Sequence, residues 1–82
     1  MRVNELKIGQ KATILALAGG AKAYRQRLIA MGLIPGTELM LTRIAPLGDP
    51  IEIHVRGVAL CLRQHEAAIL ELENTDDMLL RK

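Results

Sequence analysis

Glu52 and His54 stand two residues apart, and Cys61, His65 and Glu66 follow within a dozen positions. Carboxylate, imidazole and thiol donors are those that ferrous iron or zinc would accept. Structural metal sites, however, want about four ligands at recognisable spacing, and the chain contains neither CxxC nor HxxxH. Glu52 and His54 also fit the polar outward face of a half-buried strand, together with Arg56. Cys61 and His65, four residues apart, could form a thiol–imidazole nucleophile pair. A small packed cysteine beside a surface histidine is the favoured account of them. No serine occurs anywhere, and there is no Gly-rich phosphate loop, no GxSxG elbow and no HExxH. The chain therefore reads as non-enzymatic, with no resident metal and no cofactor.

Such residues act only where a fold positions them. With 82 residues the chain makes one domain, expected over 1–73, with a modest core. Half of the sequence is hydrophobic, enough to fold without metal or disulfide staples, yet it has one tyrosine, no phenylalanine and no tryptophan. Eleven basic and nine acidic residues leave a net charge of +2, too weak to point to nucleic acid. A single-strand reader would also need stacking aromatics, so a small RNA-binding barrel is disfavoured. A lone cysteine excludes an intramolecular disulfide and fits a reducing compartment. No signal peptide and no apolar run of about 18 residues is present, so a soluble, cytoplasmic protein is expected.

Periodicity supplies the elements. In KATILALA, Ala12, Ile14 and Ala16 share one strand face, and Gly19-Gly20 ends the run. AKAYRQRLIAMG changes period: Tyr24, Leu28 and Met31 fall on one helical face, with Lys22, Arg25 and Gln26 outside. Gly32 stands where a left-handed C-terminal cap is required, with Leu33 packing back, and Ile34-Pro35-Gly36 predicts a type II turn. TELMLTRIA (37–45), IEIHVR (51–56), VALCLR (58–63) and AILELE (68–73) read as strands, and RQHEAA as about one helical turn. The tail 74–82 lacks a partner and is expected to fray.

Between the second and third strands lies APLGDP. Pro46 and Pro50 fix φ and remove donors, Gly48 alone is free to take an unusual φ, and the Asp49 carboxylate can fold onto nearby N–H groups. So stiff a loop is either a rigid connector or a surface held ready for a partner. Five short strands with one connection long enough for a helix exclude a parallel α/β sheet. The mostly β architecture expected is a small SH3-like antiparallel barrel of about five strands, one short helix following the first. An OB-fold is the second choice, and closure would remove exposed edges.

YRQRLIAMGLIPG, then RIAPLGDPIEIHVRG and LCLR, occur in an order and spacing that resemble the FeoA family, small cytosolic components of bacterial ferrous iron transport. The likeness runs from about Leu6 to Leu72. Matching positions are Tyr24, Arg25, Leu28, Met31, Gly32, Pro35 and Gly36, then Ala45 through Pro50 and Gly57. The resemblance implies an SH3-like accessory protein acting with FeoB, a membrane transporter carrying a cytosolic GTP-binding domain. Related domains occur in DtxR-type metal-dependent regulators, which gives a first alternative. A weak iron-binding chaperone using His54, Cys61 or His65 is a second. Arginines beside aliphatic residues at the helix exit suit a protein interface. Partner-binding candidates are therefore Tyr24, Arg25, Arg27, Leu28, Met31, Leu33, Leu47 and Asp49. The same aliphatics could equally cap the barrel mouth as core. Arg25 could instead tie the helix to Asp49 or Glu38. A weak homo-oligomer is left open.

Overall fold

Strands form where the apolar period is two, and the computed structural model, which describes residues 1–74, places five of them in one sheet. They are β1 (Lys11–Leu17), β2 (Glu38–Ile44), β3 (Ile51–Val55), β4 (Val58–Leu62) and β5 (Leu70–Asn74). A nine-residue helix, α1 (Lys22–Ala30), follows β1, and a single turn, α2 (Gln64–Ala67), precedes β5. The sheet order is β4-β3-β2-β1-β5 with every pairing antiparallel. The expected mostly β class, five antiparallel strands and short helix are all present. Strand ends differ from the sequence reading by one or two residues, because turns take the terminal positions. Asn74, assigned to the tail, pairs with Ala12 in β5; the rest of the tail lies outside the described residues.

The core is aliphatic throughout. Ile14, Leu39, Leu41, Ile53, Leu62, Leu70 and Leu72 from the strands meet Leu28 and Leu33 from the helix and its exit. Each contributes about 1.5–3 kcal/mol relative to exposure. Register shifts between Ile14 and Ala16, and between Leu41 and Arg43, bend the sheet around this cluster. Closure does not abolish the edges, contrary to expectation: β4 and β5 end the strand order and do not pair with each other. The β5 side is covered, since Met1 and Leu72 exchange N–H to carbonyl bonds of 3.1 and 2.9 Å.

Two turns follow their sequence signals closely. Gly32 has φ 96°, its N–H donates to the Ile29 carbonyl, and the Leu33 N–H donates to that of Leu28, which completes a Schellman motif on α1. Leu28 and Leu33 make the accompanying apolar contact and are both fully buried. At the next turn the Thr37 N–H donates to the Ile34 carbonyl at 3.1 Å and Gly36 has φ 90°, as type II geometry requires.

The Schellman motif gives a direct test. A Cβ at Gly32 would meet nothing within 4 Å, so the cost of a side chain there is the backbone conformation itself. Gly32→Val is expected to lower stability by roughly 1–2 kcal/mol, read as a fall in the urea midpoint without a change of slope.

Candidate functional site

The helix α1 is held more by tethers than by burial. Its capping residue Ala21 offers no side-chain bond, its first turn holds no acidic residue, and Leu28 is its one buried position. Expectation and structure differ at Tyr24, which the helical period placed on the packed face and which is 42% exposed. Tyr24 reaches sideways instead, its ring edge-on to His65 with centroids 5.7 Å apart. Arg25 does not reach Asp49 or Glu38; Nη1 donates to the carbonyls of Gly19 (3.0 Å) and Gly20 (2.9 Å), fixing the turn that enters the helix. Arg27 Nη1 lies 3.3 Å from Glu66 Oε2 and so joins α1 to α2. Glu66 is buried, and its other oxygen accepts the Arg63 N–H at 3.0 Å.

The loop 45–50 is clamped in the same region. The Gly48 N–H donates to the Ala45 carbonyl (2.7 Å), and the Ala45 N–H to that of Pro50 (3.0 Å). Gly48 takes φ 87°, and the Asp49–Pro50 peptide is cis. Asp49 does not fold onto its own loop: Oδ1 accepts the Gln64 N–H at 2.9 Å, an orphan donor at the start of α2, while Oδ2 lies 4.0 Å from Arg63. Gln64 Nε2 returns a bond to the Gly48 carbonyl at 2.7 Å. The braced loop presents Leu47 at its tip with 96% of its surface exposed.

These elements bound an open cleft of about 400 Å³ between α1, the end of β4 and α2, with Tyr24, Arg27, Cys61, Arg63 and Glu66 in its walls. Of the eight partner-binding candidates, Tyr24, Arg27 and Leu47 are exposed at the surface. Leu28 and Leu33 are corrections: both are fully buried and belong to the core. Met31 packs partly against that core, while Arg25 and Asp49 act inside the fold. Pattern reading missed Gln64, and it marks Glu66 only as a candidate metal donor, not as the anchor for Arg27 from the distant helix α1. Among the described residues, no three His, Cys, Asp or Glu side chains converge to hold a metal ion. Glu52 is engaged by Thr42, whose Oγ1 lies 3.1 Å from the Glu52 carbonyl and 3.0 Å from its carboxylate.

An antiparallel five-stranded sheet with this clamped loop and helix defines a small SH3-like protein that presents a surface. The family model described as FeoA domain matches residues 1–74. The chain belongs to the FeoA family. The solution structure of the FeoA protein from Chlorobium tepidum is 39% identical, with a TM-score of 0.84, covering 92% of this chain and 70% of that one. A Stenotrophomonas maltophilia FeoA, described as a procaryotic SH3 domain protein, shares the fold with a TM-score of 0.78 at 24% identity, over 89% of each chain. In Porphyromonas gingivalis an Fe(2+) transport protein A/Fe(2+) transporter FeoB fusion protein is 33% identical over 73 residues. Those residues make up 89% of this chain and 8% of the fusion.

Asp49 offers the sharpest test of the clamp. Asp49→Ala removes the acceptor for the Gln64 N–H and is expected to cost about 1 kcal/mol, while Asp49→Asn keeps an oxygen there and costs less. Equilibrium urea melts of the two variants check the order.

Proposed function

We propose that this chain is a non-enzymatic accessory protein of bacterial ferrous iron uptake that binds the cytosolic part of a FeoB-type transporter. It works in the cytoplasm at the inner face of the membrane; no helix among the described residues is long and apolar enough to cross one. The observation that carries this reading is the Porphyromonas gingivalis relative, in which a domain like this one and a FeoB transporter share a single chain. Fusion raises the effective concentration of two modules for each other, which benefits partners that must meet.

The surface that serves the binding is the clamped loop with the exposed side of α1. Leu47 is an apolar side chain held out on a rigid support, so its immobilisation on binding costs little extra entropy. Tyr24 and Arg27 are residue types that anchor interfaces, each with an apolar body and a polar end. Arg25, tied to two carbonyls, holds the helix in place for them.

Titration of the labelled chain with the purified cytosolic portion of the transporter, with and without guanine nucleotides, tests the reading. The double variant Leu47→Asp with Tyr24→Ala loses the ring contact with His65 and should cost about 1 kcal/mol of stability while leaving the chain folded. Binding should weaken by roughly 2 kcal/mol or more. A folded variant that binds undiminished would move the interface elsewhere.

A further inference from the structure

The two edges of the sheet are treated differently. Along β5, Met1 pairs with Leu72, and Arg2 Nη1 donates to the carbonyls of Ala68 (2.9 Å) and Leu70 (3.5 Å). Along the opposite edge, β4, no further strand pairs among the described residues. Its register on β3 runs without a bulge, Val55 opposite Val58 through Ile51 opposite Leu62. The connecting residues Arg56 and Gly57, with φ of 52° and 80°, form a two-residue turn of type I′. The pair that closes such a hairpin exchanges both of its hydrogen bonds, so Val58, Leu60 and Leu62 bond inward to β3. Ala59 and Cys61 must then point their N–H and carbonyl groups away from the sheet. Among the described residues nothing pairs with those groups.

Soluble proteins usually blunt such an edge with lysine, proline, a bulge or a covering segment. The strand Val-Ala-Leu-Cys-Leu has no lysine, proline, bulge or charge, and no segment among the described residues covers it. Val58, Ala59 and Cys61 are exposed along it. At its far end, α1 stands off the edge and leaves the open cleft walled by Tyr24 and Arg27 on one side and Cys61, Leu62 and Arg63 on the other. An edge strand facing a helix across a groove is the arrangement in which an extended peptide adds to a sheet.

We propose that β4 receives an extended segment of a partner protein as a sixth strand, its apolar stretch along Ala59–Cys61 and an acidic residue at the end nearest Arg27 and Arg63. Backbone bonds to Ala59 and Cys61 supply the register. The acidic end follows from charge: the cleft walls hold two arginines, Arg27 and Arg63, with side chains 64% and 61% exposed, against one carboxylate, Glu66, which is buried and paired with Arg27. Arg63 lies 4.0 Å from Asp49 outside the cleft, so one positive charge is left in excess. A second copy of this chain fits less well. Antiparallel pairing about Leu60 would set Arg63 of one copy beside the Arg56–Gly57 turn of the other, cation against cation at both ends. The inference rests on the adaptor reading for the partner's identity only.

A synthetic probe tests the edge without the transporter, so its failure and that of the adaptor reading are separable. The probe is an acetylated hexapeptide of one glutamate followed by alternating valine and threonine, titrated into the ¹⁵N-labelled full chain. The amides of Ala59 and Cys61 should shift and gain protection from exchange. The fully N-methylated peptide, with the same side chains and no backbone donors, should bind at least about tenfold more weakly. Replacing the glutamate by lysine should weaken binding several-fold. Unmoved Ala59 and Cys61 amides at millimolar peptide would overturn the proposal. So would equal binding of the N-methylated form, or protection of those amides that rises with protein concentration alone.

Discussion

A core that must be filled by aliphatic side chains alone governs this molecule. Without phenylalanine or tryptophan, no single residue can cover a wide area, so leucine, isoleucine and valine from every strand are drawn to one cluster. The five strands supply most of that cluster, and little apolar surface is left for the helix. Leu28 alone is buried on α1, with Leu33 closing the Schellman turn behind it. The helix is therefore fixed by polar tethers at its start and flank: Arg25 to two glycine carbonyls, Arg27 to Glu66. A helix held this way keeps most of its face free, and that freedom is what an adaptor surface needs.

The same economy explains the stiff loop between β2 and β3. A loop with no core residue of its own would move unless something else held it. Asp49 and Gly48 are bound by Gln64, and the arrangement satisfies α2's first orphan donor at the same time. One set of bonds thus fixes two elements and projects Leu47 into solvent. The prolines restrict the unfolded chain, and the bonds to Gln64 select the folded position.

The sequence shows the regular parts of this fold plainly and its polar cross-links poorly. Alternation in Ile51, Ile53 and Val55 and the glycine after Met31 are local signals, and the structure follows both. Tyr24 could not be placed by period, because a helix with one buried position has no packed stripe for the period to mark. Asp49 suggested a local turn bond, but its partner lies fifteen residues away, a pairing no local pattern encodes. The open edge at β4 was hidden for a related reason. Strand count suggested a closed barrel, whereas edge pairing depends on how far the sheet curls, which the bulges after Ile14 and Leu41 decide.

The central proposal is that the loop bearing Leu47, helix α1 and the β4 edge together receive a FeoB-type transporter. Hydrogen–deuterium exchange of the full chain with and without the transporter's cytosolic portion addresses it most directly. The account predicts slowed exchange in residues 45–50, in α1 and at Ala59 and Cys61, with the amides of β1 and the first turn around Val3–Glu5 unchanged. Protection confined to β1, β5 and that first turn, with the loop and β4 exchanging as before, would contradict it.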